Sequence, residues 1–222
     1  LRPGYGRWDI GAGELRDKSL KEKPGLGYAT GYYGLNNTFT GYVGVQYMDV
    51  GYYAGLVGIA TNTPVGAFAF DITHSTTAID DLDTLTGQSY RVTWSKLIEE
   101  SRTSFNIAAY RFSTENYMSL RDAATLNDNL RHNNDDTPQE FTRFQRMKNQ
   151  FQVNISQPVS LWSNSNGNLY VSGSWEDYWN KSSSTSQYSV GYNDSFSWVS
   201  YSISVQRSYN EYGDKDDSVY LN

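Results

Sequence analysis

Residues 169–180, LYVSGSWEDYWN, separate into two surfaces when every second position is taken. Leu169, Val171, Gly173 and Trp175 form one row, and Tyr170, Ser172, Ser174 and Glu176 form the other. Period-two alternation of this kind marks a β-strand with one apolar face and one wet face. The stretch closes on Trp175, Tyr178 and Trp179, rings whose polar edges favour the boundary between an apolar phase and water. These three are candidates for an interfacial aromatic girdle.

The same alternation recurs along the chain. Strands are expected at 5–14, 27–34, 39–47, 52–61, 66–75, 88–96, 103–113, 147–157, 186–193 and 199–208, with a further alternation beginning at 216–222. In the strand at 103–113, Phe105 and Ile107 share a parity with Arg111, whereas Tyr110 and Phe112 take the other. One extra residue near Ala108-Ala109 would repair that register, because a bulge flips every side chain after it. Asn36-Asn37 reads as a tight turn, since Asn tolerates the left-handed backbone such turns use. Residues 114–146 form the longest interruption and read as a polar loop. A short helix around Ser119–Leu126 is compatible with the residues there but is not assigned.

Segments of about ten residues with this alternation have the length a tilted strand needs to cross a bilayer. Connections also tend to alternate between short (35–37, 62–65, 97–102, 194–196) and long (15–26, 76–86, 114–146), as in barrels with short turns at one rim and loops at the other. Two connections break this rule: 48–51 is too short for its rim, and 158–168 too long. A mean hydropathy of −0.64 would ordinarily indicate a soluble protein, but only alternate residues of a barrel face lipid. Apolar surface is concentrated in rings, with 19 Tyr and 6 Trp among 222 residues. The competing architecture is a soluble β-sandwich, which also alternates. Strand length, aromatics near strand ends, and polar rows of Gln, Asn, Ser and Arg favour an all-β antiparallel transmembrane barrel. One partial barrel domain over residues 1–222 is expected.

Several function classes lack their residues. No apolar run reaches the 18 or so residues of a membrane helix, and Leu1–Ile10 is neither a basic-then-apolar leader nor a cleavage site. There is no cysteine for a disulfide or thiolate metal site. His74 and His132 lack metal-ligand spacing, so His74 reads as a rim residue. Asp80, Asp81 and Asp83 lack the Gly and terminal Glu of a calcium loop, so they read as a solvated acidic loop. Glu176 and Asp177 beside Trp175 suggest a glycosidase pair, but adjacent strand residues point to opposite faces. With no nucleophile elbow or phosphate loop either, no catalytic residue, metal or cofactor is assigned. A net charge of −6 disfavours nucleic acid as a partner. Parity opposite the apolar rows selects Arg7, Asp9, Asp71, Thr73, Arg91, Gln152, Asn154 and Glu176 as candidate pore-lining residues.

The motifs carry a family likeness. YVSGSWEDYWN resembles the L-Y-x-S-G-S-x-x-x-Y-W strand of fimbrial outer-membrane ushers, and GYNDSFSWVSYSISVQRS resembles the hairpin after it. GQSYRVTW at 87–94 and AYRFST at 109–114 are similar to the usher G-Q-S-x-R and Y-R-[YF]-S segments. GYATGYYG, GVQYMD and FAFDITHS are usher-like, and LRPGYGRWDIGAGELR resembles the strand resuming after the family's plug domain. The resemblance implies the post-plug part of a translocation pore in the Gram-negative outer membrane. It also implies periplasmic chaperone–pilin subunit complexes, pilus subunits and outer-membrane lipid as partners. Assembly would be driven by subunit folding and exchange without a cofactor. Plug, periplasmic and C-terminal domains are not visible, so the chain is expected to be a fragment. A soluble glycan-binding sandwich and a generic porin stay as the alternative functions.

Overall fold

The computed structural model describes residues 1–79, 84–132, 146–161, 165–196, 199–210 and 212–221, with backbone alone at 106–108, 132 and 196. Among them are twelve strands and one helix. The strands are β1 (Gly6–Glu14), β2 (Gly25–Gly34), β3 (Phe39–Met48), β4 (Tyr52–Thr63), β5 (Gly66–Thr77) and β6 (Leu85–Ile98). They continue as β7 (Thr103–Ser113), β8 (Met147–Pro158), β9 (Asn168–Tyr178), β10 (Thr185–Phe196), β11 (Val199–Tyr209) and β12 (Lys215–Leu221), with α1 (Leu120–His132) between β7 and β8. All twelve strands lie in one sheet, in chain order, each antiparallel to the next. β4 has 12 residues; at roughly 3.3 Å per residue and a tilt of about 40°, such a strand covers roughly 30 Å, the thickness of a hydrocarbon core.

The two faces differ in the way the alternation requires. Val43, Val57, Ile72 and Tyr90 are successive cross-strand partners on one face. Val57 is 59% exposed although it sits mid-strand in the sheet interior. Trp8, Val45, Phe70, Val92, Val190 and Val205 are likewise exposed on this face. A sandwich would cover these residues with a second sheet; here nothing among the described residues does, so the sandwich alternative is set aside. The exposed apolar face is the outer one, and the polar face is the inner one.

The register break falls where the side-chain parity changes. Phe105 pairs with Ile155 and Ala108 with Val153, so β7 spends one more residue than β8 between the two rungs. The bulge puts Phe105 on the outer face, with its ring 5.5 Å from Trp94, and also Tyr110 and Phe112, which partner Val92 and Tyr90. Arg111 is thereby placed on the inner face opposite Arg91.

The interruption at 114–146 is not a featureless polar loop. It contains α1, longer than the unassigned helix at 119–126. Ser119 caps it: its Oγ accepts from the Asp122 N–H at 3.2 Å and donates to Asp122 Oδ2 at 2.7 Å, a capping box closed by Asp. Ala123, Ala124 and Leu126 pack with Met118 against the inner side chains of Met48, Tyr52 and Ala54. The buried core of the described chain lies beneath this helix rather than between two sheets. Sequence reasoning missed it because so few apolar residues suffice when one face of a helix covers a wall that already exists. The acidic residues Asp80, Asp81 and Asp83, and the segment 133–136, lie outside the described residues.

Candidate functional site

The inner face carries an unbroken rank of polar and aromatic cross-strand partners. Arg7 pairs with Tyr32 and Tyr32 with Tyr42. Tyr42 is followed by Gly58, Asp71, Arg91 and Arg111, and Arg111 by Gln150, Glu176 and Thr185. At its centre Asp71 is 3% exposed. Its Oδ2 accepts from Nε and Nη2 of Arg91 at 2.9 and 2.8 Å, and from the Tyr42 hydroxyl at 3.0 Å. A buried carboxylate needs such partners, since desolvating an unpaired charge is costly. Gly58 makes room for this arrangement: a Cβ there would overlap the Tyr42 ring that reaches across to Asp71.

Four positions further along the rank, Glu176 is held by Gln150 Nε2 at 2.9 Å and the Tyr178 hydroxyl at 2.8 Å. Tyr178 therefore lies on the inner face, which removes it from the girdle suggested by the sequence. Trp175 lies on the outer face opposite Phe151. Trp179 follows β9, where its Nε1 donates to the Ser113 carbonyl at 2.9 Å and its ring receives Lys148 Nζ at 4.7 Å. Asp177 pairs with Asn149, away from Glu176, so the two carboxylates do not converge.

A cavity of about 560 Å3 lies between this wall and the α1 segment, lined by Tyr32, Tyr42, Asp71, Arg91, Arg111, Tyr117 and Arg121 among others. The segment before α1 is tied to the wall by Met118, whose N–H donates to Ser75 Oγ and whose carbonyl accepts from the Tyr52 hydroxyl. On its far side α1 is bound to the 15–24 connection. Asp128 accepts the N–H groups of Lys21 and Glu22, and Arg121 and Arg131 pair with Asp17 and Glu22 at 2.8 and 3.0 Å. Asp17 also accepts both the N–H and the hydroxyl of Ser19. Those hydrogen bonds, with Arg121 beside them, hold its carboxyl below the usual carboxylate range.

Every pore-lining candidate occupies the inner face. Arg7, Asp71, Arg91 and Glu176 stand in the rank just described. Asp9 and Thr73 stand in the neighbouring one through Thr30, Gly44 and Leu56. Gln152 pairs with Ala109 and Ser174, and Asn154 with Ser172. Of these candidates, Asp71, Thr73 and Arg91 border the cavity; Arg7 and Asp9 stand beside its lining residues Tyr32 and Thr30, and Gln152 and Asn154 on β8 do not line it. Arg111, Tyr42 and Gln150 were missed. Gln150 follows the same parity rule, whereas Arg111 becomes legible only once the β7 bulge is applied. His74 is exposed, facing outward near the end of β5.

The family model described as "Outer membrane usher protein" matches residues 1–222. The chain belongs to the outer membrane usher family. It is 54% identical to the outer membrane usher protein HtrE of Escherichia coli K12 over 222 residues, covering 100% of this chain and 26% of HtrE. With MrkC of Klebsiella pneumoniae it shares 40% identity, again over 100% of this chain and 26% of the relative. It superposes on the translocation pore of the P pilus usher PapC with a TM-score of 0.67 at 26% identity, covering 100% of this chain and 42% of that one. The usher segment described here thus spans about a quarter of the length of these curated relatives. Its sheet is part of an antiparallel barrel wall. The connections 35–38, 64–65, 99–102 and 159–167 share one rim, and 15–24, 49–51, 78–84 and 114–146 share the other. By the usual rule for such barrels the first rim is periplasmic and the second external. The overlong 159–167 connection has a structural role: its Val159 carbonyl and Ser165 sit against Tyr192 and buried Asp194 at the periplasmic end of β10.

Proposed function

We propose that this chain is a section of the wall of an outer-membrane pore that assembles and secretes pilus subunits delivered by a periplasmic chaperone. The observation that carries this reading is the pairing of one exposed apolar face with one polar inner face across a continuous sheet, in a chain whose family is usher. Arg7, Asp9, Asp71, Thr73, Arg91, Gln152, Asn154 and Glu176 line the lumen. A largely polar wall lets a folded subunit slide past without sticking. The work is assembly and transport, powered by subunit folding and exchange, and no bond in a small substrate is made or broken. The neighbour whose structure is described as a P pilus tip assembly intermediate, PapC-PapD-PapK-PapG, supports the partner assignment by likeness: 27% identity and a TM-score of 0.69.

The deciding experiment expresses the full-length protein with its cognate chaperone and subunits in cells lacking other ushers. Surface fibres that vanish when the protein is omitted are the expected result. A protein that conducts small solutes but neither recruits chaperone–subunit complexes nor yields fibres is a generic porin, and the proposal fails.

A further inference from the structure

The outer face is apolar along most of its length, yet at the end of β11 and β12 it carries a compact charged group. Arg207 and Asp217 are direct partners on β11 and β12, flanked on the same face by the Val205–Val219 pair. Asp217 Oδ1 accepts from Arg207 Nε at 2.7 Å, and its Oδ2 accepts from Arg207 Nη2 at 3.2 Å and from Lys215 Nζ at 2.7 Å. One carboxylate thus sets two cations side by side, and these three groups carry a net positive charge on the outer face; Asp216, opposite Ser208, belongs to the inner face, and Asp214 is bound to Asn210 in the turn. Tyr209 takes a further bond from the guanidinium, and the guanidinium and ammonium still keep N–H donors unspent by Asp217 and Tyr209. Both cations remain reachable, with side chains 48% and 44% exposed.

Position identifies what this group meets. It lies at the β11–β12 turn, on the rim of the long connections, which faces the exterior. Immediately below it on the outer face are Val205, Val219, Val190 and Leu221, all strongly exposed and therefore lipid-facing. Tyr188 partners Arg207 on β10, and Tyr212 in the adjoining turn is 80% exposed. Charges on the lipid side of a barrel are tolerated only at headgroup depth, where aromatic rings also gather. A net positive group there, with donors to spare, has the chemistry to hold a phosphoryl group.

We propose that Arg207 and Lys215, aligned by Asp217, form a binding site for a lipid phosphate of the external leaflet, such as the phosphoryl groups of lipid A. The site anchors the wall at a fixed depth and is independent of whatever passes through the lumen.

The test uses the full-length usher purified in detergent, with native mass spectrometry counting retained lipid after titration with bis-phosphorylated lipid A. The wild-type protein retains this lipid. The R207A/K215A double variant loses retention by roughly thirtyfold, as expected for removing two interfacial cations. Dephosphorylated lipid A is retained as poorly by the wild type as the phosphorylated form is by the variant. Asp217→Asn keeps both cations, so its retention equals or exceeds the wild type's. Heat-dependent gel mobility reports whether each barrel is folded. If the double variant fails to fold, Lys215→Gln and Arg207→Gln are measured singly, each expected to lose severalfold. Equal retention of both lipids, undiminished binding by folded variants, or full displacement by millimolar inorganic phosphate overturns the proposal.

Discussion

Asp71 and Arg91 face one another across β5 and β6, the guanidinium closing on a single carboxylate oxygen through Nε and Nη2 at 2.9 and 2.8 Å. Asp71 is almost fully enclosed, whereas Arg91 is partly open to the cavity. The pair is asymmetric, so its two halves are not equally dispensable. Removing Arg91 strands a buried carboxylate, while removing Asp71 leaves a cation that solvent reaches.

Arg91→Ala is therefore expected to destabilise the full-length barrel by roughly 1–3 kcal/mol, and Asp71→Asn by less. Denaturant titration of the barrel, followed by tryptophan fluorescence, measures both. Tyr42→Phe removes a third partner of the same oxygen. Its effect on top of Arg91→Ala should depart from additivity, because residues sharing one acceptor couple.

Gly87 gives a second handle. A Cβ at this position would overlap the backbone of Tyr117 and Asn116, where the approach to α1 crosses β6. Backbone cannot rotate away as a side chain tip can, so Gly87→Ala should lift the 114–119 segment from the wall. A loss of roughly 1–3 kcal/mol is expected, in line with overpacking in tight cores. Faster proteolysis within the 114–146 connection, with the rest of the barrel intact, would localise the damage; an unchanged cleavage rate contradicts the packing described here.

The fold was legible because one physical rule, alternation, governs nearly every residue of a sheet with lipid on one side. Val43 or Val205 has no other face to occupy, so parity assigned them correctly, and even the β7 bulge was visible as a conflict between Phe105 and Tyr110. The inner site was less legible. Asp71 and Arg91 emerge from parity, but their pairing depends on the β5–β6 register, and Arg111 on the bulge. α1 escaped because Ala123, Ala124 and Leu126 form too weak a stripe to stand alone. What stabilises it is tertiary: Asp128 on the N–H groups of Lys21 and Glu22, and Arg121 on Asp17. Tyr178 was misassigned because an aromatic at a strand end suits either face; its partner Glu176 decides which.

The lock between α1 and the 15–24 connection should weaken in acid. Asp17 has its carboxyl held below its ordinary value of 3.8 by the Ser19 N–H and hydroxyl and then by Arg121. A group with a depressed folded value contributes stability above its unfolded value and loses it as pH falls through the folded one. Above about pH 5 the contact is fully present, and it fades below pH 4. Ser19→Ala removes the hydroxyl bond and keeps the N–H one, so the onset of loosening should move part of the way to higher pH. Hydrogen exchange at residues 17–22 across pH 3–6 measures this, and coincident profiles for wild type and variant would contradict it.

The assignment of faces can be tested residue by residue, since adjacent positions on β9 point to opposite sides. Single cysteines are placed at Phe70, Trp175 and Glu176 in the full-length protein, which is convenient because the segment described here has no cysteine of its own. Phe70 and Trp175 belong to the exposed apolar face; Glu176 belongs to the inner rank with Gln150. In bilayers, a membrane-impermeant thiol reagent should modify the cysteine at 176 and spare those at 70 and 175. A lipid-soluble reagent should show the reverse order. A barrel wall with two unlike faces leaves no room for both positions of the 175–176 step to react alike with the water-soluble reagent. Modification at 175 with protection at 176 would invert the wall and overturn the proposed lumenal role of Asp71 and Arg91.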